Sequence, residues 1–405
     1  MLSARDIENA RIDLNGGRRI APQQFEQEDR RTRIRPGSVL LTIVGTVGRS
    51  AVVPPNAPRF TVQRSVAVIE PAGVEPHFCS LFLRSPEAHD WFEENARGSA
   101  QKGVYLRTLA RLRLPIPPLA EQKRIVAKVE ALLARVNAVT ARLQTARTIL
   151  KRFRQSVLAA ACSGRLTEDW REDPASEDDF AGWIDARLGD VATLHRGYDL
   201  PKHKRQPGTV PVYAANGCVG THQDAKVSGP GVVTGRSGTI GQVHFVASDY
   251  WPLNTALYVQ DFHGNYPQFI VLLLKDLRLA QYHAGTGVPT LNRNVVHEVE
   301  VAVPPLAEQH EIVRRVETLF RLADGIEAGI ERASGRADRL TQAILAKAFR
   351  GELVPTEADL ARRERRDYEP AEALLERIKA EREKHVGPGA GGGGRRRTKK
   401  ERRAR

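Results

Sequence analysis

The residues of this chain that could carry out covalent chemistry are not arranged to do so. Seven of its eleven histidines (His195, His203, His222, His244, His263, His283 and His297) fall in one stretch, but without metal-ligand spacing. They read as core or surface residues, and no metal or cofactor is expected. Cys79, Cys162 and Cys218 are scattered with no paired spacing, which argues for free buried thiols rather than a disulfide framework or a zinc site. Gly235-Arg-Ser-Gly238 lacks the lysine and the spacing of a phosphate-cradling loop, so it reads as a tight turn. Pro54-Pro55-Asn56 is the reverse of the Asn/Asp-Pro-Pro-Tyr/Phe order used for nucleobase methylation. No pair of carboxylates with a following lysine suggests a nuclease. Binding, not bond-making, is the chemistry left.

The elements that must position any binding residues are duplicated. Pro117-Pro118-Leu119-Ala120-Glu121-Gln122 returns as Pro304-Pro305-Leu306-Ala307-Glu308-Gln309, and the offset of 187 holds without a gap from Gly98/Gly285 to Leu166/Leu353. Long internal repeats decide architecture before anything else does. In the first copy the apolar positions are Ile125, Val129, Leu132, Val136, Val139, Leu143, Ala146, Leu150, Phe153, Val157 and Ala160. In the second they are Ile312, Val316, Leu319, Ala323, Ile326, Ile330, Ala333, Ala337, Leu340 and Ile344. Alternating steps of four and three are a coiled-coil seam. Each Pro-Pro pair bars the helix from starting earlier, an acidic residue comes next in the first turn, and Gly164 or Gly351 marks the stop. Gly325, Gly329 and Gly335 weaken the second helix by about 1 kcal/mol each relative to alanine, so it needs a partner. Identical seams in one chain pair most simply with each other. The polar link of residues 167–182 would be stretched taut by a parallel pair, so the helices are expected to be antiparallel, with one head at each end of a rod.

The heads are residues 1–116 and 183–303. In the first, Gly37–Val44, Arg49–Val53 and Thr61–Ile69 read as strands, Gly45-Thr-Val-Gly48 as a turn and Pro76–Asn95 as a helix. The second repeats the plan with Gly231–Thr234, the turn Gly238-Thr-Ile-Gly241, Val243–Val246, Trp251–Val259 and a helix over Pro267–His283. Helices match far better than heads, which suggests one frame carrying two different readers. The first head is short: 44 residues precede Gly45, against 55 from Trp183 up to Gly238. It lacks the opening strand that Trp183–Val191 would supply, as if the start were misplaced or the head truncated.

The 405 residues carry a formal charge of +14. Half of it sits in residues 395–405, behind the glycine-rich run from Gly387 to Gly394. A tail of this kind, residues 386–405, is disordered and binds polyanions without reading sequence. The body's own excess supports a nucleic-acid partner only weakly. The chain shows neither a signal peptide nor eighteen consecutive apolar residues, and a soluble cytoplasmic protein is expected.

The twice-repeated Pro-Pro-Leu-Ala-Glu-Gln-x-x-Ile-Val, the heptad helix with its Gly-x-Leu ending and the Gly-Thr-x-Gly turn of each head resemble the specificity subunit of type I restriction-modification enzymes over residues 30–385. The resemblance implies an α+β fold of two β-rich target-recognition domains (1–116 and 183–303). Two antiparallel coiled-coil spacer helices (117–166 and 304–353) join them in a pseudo-two-fold duplication, with a helical segment at 354–385 after the second. It also implies a non-catalytic chain that reads a bipartite site in double-stranded DNA, one head per half. Two modification (methyltransferase) subunits would dock on the helices, and restriction (translocase/endonuclease) subunits would join outside.

Base readout needs side chains that donate or accept at groove edges, with cations and amides on phosphates. The candidates are Thr46, Arg49, Gln63, Arg64, Ser99, Gln101 and Lys102 in the first head. In the second they are Arg236, Ser237, Thr239, Asn254, Thr255, Thr286, Asn292 and Arg293. Helix pairing is assigned to Ile125, Val129, Leu132, Val136, Leu150, Phe153, Ile312, Val316, Leu319, Ile326, Ile330 and Leu340. The competing readings are a coiled-coil scaffold whose two heads bind protein, and an enzyme with an unrecognised site.

Overall fold

The computed structural model describes residues 1–8, 10–98, 101–172, 182–284 and 289–385. It divides into two compact units, Met1–Arg142 with Ser334–Arg405, and Leu143–Ala333, so the division falls inside both long helices. These run Leu119–Cys162 and Leu306–Phe349, starting directly after the Pro-Pro pairs. Beyond their ends Gly164 and Gly351 both take φ +75°, the left-handed stop that glycine adopts without strain. Among the described residues no helix is long and apolar enough to cross a membrane.

In the first unit the fully buried strand Val39–Thr42 is flanked antiparallel by Ser50–Val52 and Val66–Ile69. The core of this unit joins the sheet to Phe78, Phe82 and Phe92, to Ile125, Val129 and Val136 of the first long helix, and to Ala337, Ile344, Leu345 and Ala348 of the second. Phe349 packs against Phe78 (ring centroids 5.2 Å apart, tilted) and edge-to-face against Phe82 (5.3 Å). The head thus rests on the opening of its own helix and the close of the other. The segment after the second long helix forms helices Glu357–Glu364 and Ala371–His385.

The second unit is built the same way. Its four-stranded sheet runs Val243–Val246, Gly231–Gly235, Ala256–Asp261, Thr193–Arg196, all antiparallel. Val157 and Ala161 of the first long helix share its core with Ile312, Val313 and Val316 of the second. Here the helices run in opposite directions. Arg154 pairs with Asp324 and Glu327, Arg315 donates to Leu166 O and Asp169, and Arg171 bonds Glu308. Partner numbers fall as the chain advances along the first helix and the segment that follows Cys162.

Several expectations need correction. Pro76–Asn95 is two helices, Pro76–Leu83 and Pro86–Asn95, because Pro86 has no N–H to continue the ladder and holds Ser85 extended (ψ 157°). The helix expected over Pro267–His283 stops at Asp276, with Arg278 then in the left-handed region and a 3-10 turn at Leu279–Tyr282. Trp183–Val191 is a short strand, Ile184–Arg187, then a helical turn, Leu188–Val191. Thr61–Ile69 is a strand only from Val66, and Trp251–Val259 is interrupted between Pro252 and Ala256. Of the thiols, Cys79 is buried, but Cys218 is exposed on the hairpin strand Gly217–His222.

Along the helices Ile125, Val129, Val136, Leu150, Ile312, Val316 and Ile330 are buried, while Leu132, Phe153 and Leu319 are partly covered. Ile326 and Leu340, assigned to the same seam, are instead 47% and 52% exposed. The buried positions near them, Ala323, Ile330, Ala337 and Ile344, recur every seventh residue. A residue three further on lies about 60° around the helix, and two helices alone shield only a narrow line. Val139, the counterpart of Ile326 in the first copy, is exposed for the same reason.

Candidate functional site

Both heads carry one construction, three loops stitched by three equivalent backbone bonds. In the first head Ile43 N donates to Ser65 O (2.9 Å), Gly45 N to Lys102 O (3.0 Å) and Val104 N to Ile43 O (2.8 Å). In the second Arg236 N donates to Thr255 O (2.9 Å), Gly238 N to Pro289 O (3.1 Å) and Leu291 N to Arg236 O (2.8 Å). The glycine turn, the loop before the next strand and the segment leading to the long helix are thereby gathered on one surface. The turn's glycines are conformational: Gly45 and Gly238 sit at φ +81° and +85°, Gly48 and Gly241 at +96° and +92°. A non-glycine residue there would be strained.

The frame is shared, but the side chains on it are not. In the first head Thr46, Arg64, Gln101 and Lys102 are exposed at the junction, and Gln63 is half-buried. Arg49 is half-buried, its amide bonded to Thr42 Oγ1 and its guanidinium 3.7 Å from Glu8. In the second head Thr239 and Thr255 are exposed, while Arg236 and Ser237 are half-buried. Arg236 donates to Asn254 O (3.2 Å), and the Asn254 side-chain amide donates to Asp199. These contacts bring Arg236, Asn254 and Thr255 into one cluster. Asn292 caps the short helix Arg293–His297 through the Asn294 amide (3.0 Å), which places it and Arg293 at the edge of the same junction. Ser99 and Thr286 lie outside the described residues, as does the basic tail 386–405.

Sequence reasoning missed a second element beside this cluster. Asp199, which holds Asn254, leads into the turn Lys202–Lys204 and then Arg205, with Lys202, His203 and Lys204 exposed. Four consecutive basic or imidazole side chains between Pro201 and Pro207 were the available signal. The loop is anchored by Tyr198, whose hydroxyl lies 3.0 Å from that of Tyr258 and whose ring has Lys226 Nζ 5.8 Å above it. Burial, together with the Tyr198 bond, raises the Tyr258 phenol above its ordinary range, so it stays neutral.

The repeated Glu-Gln of each long-helix opening locks head to helix. Gln122 accepts from Glu75 N (2.9 Å) and donates to Pro117 O (2.8 Å). Gln309 accepts from Tyr266 N (2.7 Å) and donates to Pro304 O (3.0 Å) and Asn265 Oδ1 (2.7 Å). Glu75 and Tyr266 are the N-cap residues of the head helices, so the carboxamide fixes the same helix start in both units. The neighbouring glutamates hold the segment that leaves the antiparallel partner helix. Glu121 accepts from Glu357 N (2.7 Å), and buried Glu308 from Thr167 Oγ1 (2.6 Å), Trp183 Nε1 (3.1 Å) and Arg171. Glu357 is itself buried. Burial pushes its carboxyl up, but Arg124 and Arg366 outweigh that and hold it below the ordinary range.

Comparison with known proteins gives a consistent picture. Residues 7–146 and 181–332 match the family model described as the type I restriction modification DNA specificity domain. The type I restriction enzyme EcoBI specificity subunit of Escherichia coli is 34% identical over 71% of this chain and 68% of its own length. The EcoDI specificity subunit of the same species is 30% identical over 80% of each chain. A solved structure from work on complex assembly and conformational transition of the type I R-M system shares the fold at a TM-score of 0.67, with 22% identity, over 79% of this chain and 83% of that one.

Proposed function

The chain belongs to the type I restriction-modification DNA specificity family, and from that premise we propose that it reads a split DNA target, one head per half-site. The observation that carries this reading is the duplicated three-loop junction. One backbone frame, held by the same three bonds, presents Thr46, Gln63, Arg64 and Lys102 in one head and Arg236, Thr239, Asn254 and Thr255 in the other. Two surfaces of one shape with different donors and acceptors suit two different half-sites. Lys202, Lys204 and Arg205 beside the second junction suit phosphate contacts. The paired helices, 44 residues each, set the gap between the halves. They also offer docking surfaces for two methyltransferase subunits, with restriction subunits joining that assembly, so the chain itself performs no catalysis.

The scaffold alternative has no observation in its favour. It is separated by removing residues 386–405, the part of the chain that would bind any polyanion. The chain ending at His385 should still prefer particular sequences in a random duplex library at moderate salt. Complete loss of DNA binding with the tail would remove the heads from recognition.

A further inference from the structure

The two junctions end alike. Val104 N donates to Ile43 O and Leu291 N to Arg236 O, so the residues that follow, Tyr105 and Asn292, occupy the same position on the shared frame. Each then opens a short helix, Leu106–Leu109 in the first head and Arg293–His297 in the second. Asn292 suits that place, since its side-chain oxygen accepts from Asn294 N at 3.0 Å. Tyr105 does not. It makes no cap bond, and its ring and hydroxyl have no partner among the described residues. At 71% it is the most exposed large apolar or aromatic side chain described. A ring held in water forgoes its hydrophobic gain, and tyrosine here also forgoes the cap that asparagine would supply. Local rules broken with no structural return mark positions kept for binding.

The exposure belongs to the junction itself. In the second head the segment 184–197 meets the short helix at its far end, where Leu194 N donates to His297 Nε2 (2.9 Å) and Gly189 backs onto His297. Asn292, at the near end, stays exposed with that segment in place. In the first head Tyr105 follows closely on Lys102, whose carbonyl accepts from Gly45 N of the glycine turn (3.0 Å). Thr46 of that turn and Lys102 are exposed as well. Ring, turn and cation therefore share the surface already assigned to reading.

We propose that Tyr105 is a specificity-determining residue of the first head and reads a thymine through its 5-methyl group. Of the groups that base pairs display in the major groove, the thymine methyl is the apolar one, and an apolar side chain reads it by contact. The face of the Tyr105 ring supplies that contact. Asn292, at the same position of the second head, presents an amide instead. One slot of the shared frame thus holds an apolar reader in one head and a hydrogen-bonding reader in the other. The inference rests on the split-target reading and deepens it.

The test measures binding of the full chain to duplexes carrying its mapped two-part target. Each thymine of one half is replaced in turn by uracil, which removes the methyl group and keeps every hydrogen bond. The first head's half is the one that Arg236→Ala leaves unchanged. One uracil in that half should weaken binding about fourfold, the worth of one buried methyl group. Tyr105→Phe should keep that dependence. Tyr105→Ala and Tyr105→Asn should lose it, with the other half read as before. Tyr105→Asn supplies a capping side chain and should raise the urea midpoint, so its altered reading cannot come from misfolding. Binding indifferent to every uracil, a first half without thymine, or a uracil penalty that survives Tyr105→Ala would overturn the inference. Each of those results leaves the two-part target intact, whereas a chain with no two-part target fails the reading beneath it.

Discussion

Replacing Gln309 by alanine tests whether the repeated helix opening fastens each head. Gln309 is 2% exposed, and its carboxamide makes three bonds: from Tyr266 N, to Pro304 O and to Asn265 Oδ1. Alanine leaves the Tyr266 amide and the Pro304 carbonyl without their partner, and a buried unsatisfied group costs about 1–3 kcal/mol. Asn265 loses least, since its amide still donates to Val191 O and Phe262 O. For two such groups the expected loss is about 2–6 kcal/mol, read as a lower urea midpoint and faster exchange of the first amides of the helix Pro267–Asp276. Gln122→Ala also orphans two groups, Glu75 N and Pro117 O, but both bonds are only part-buried whereas the Gln309–Pro304 bond is buried, so it should cost less, toward the lower end of that range. Gln309→Glu keeps the acceptor for Tyr266 but presents oxygen to Pro304 O and Asn265 Oδ1, and should not rescue. A Gln309→Ala loss below about 0.5 kcal/mol, the ordinary scatter of surface changes, would refute the reasoning. So would a larger loss at Gln122 than at Gln309.

Three other outcomes are expected. Arg236→Ala should weaken reading of one half-site by about 1–3 kcal/mol and leave the other unchanged, measured by competition among DNA duplexes altered in one half at a time. At Gly325 and Gly329 an added Cβ meets nothing within 4 Å, so Gly325→Ala and Gly329→Ala should each stabilise by about 1 kcal/mol in thermal or denaturant unfolding. Glu357 has its folded pKa held below 4.5 by Arg124 and Arg366 against burial, so its contribution is present above the ordinary carboxylate range and lost as pH falls through the folded value. Glu357→Gln should therefore lower stability at neutral and alkaline pH, change it little below the folded value, and so flatten the acid side of the stability–pH profile.

The duplicated frame was legible because it is written in local rules. Pro-Pro starts, glycine stops and heptad spacing fix the two long helices, and both begin and end where those signals stand. Ile326 and Leu340 carry the right residue type at the right spacing, yet whether they are covered depends on how many elements surround the helix at that level. Periodicity holds no such information. The glycine turns were readable for the same reason as the helices, since positive φ at both ends demands glycine. The junction they join was not, because its three backbone bonds connect segments far apart in the chain. Gln122 and Gln309 stood in the most recognisable motif of the sequence, but their role appears only when the head helix lies beside them. The Lys202–Arg205 run was visible as charge and acquired meaning only from its place beside Asp199 and Asn254.

The central claim is a split target whose gap is set by the helices. It is tested most directly by mapping methylated bases in DNA from cells that carry this chain with its methyltransferase partner. The parent should be compared with a variant lacking residues 139–145 and 326–332, one matched heptad from each helix. The account expects a two-part motif whose gap shortens by about three base pairs, since seven residues rise about 10 Å and a base pair about 3.4 Å, with both halves unaltered. A contiguous motif, or a gap unchanged by the deletion, would contradict it.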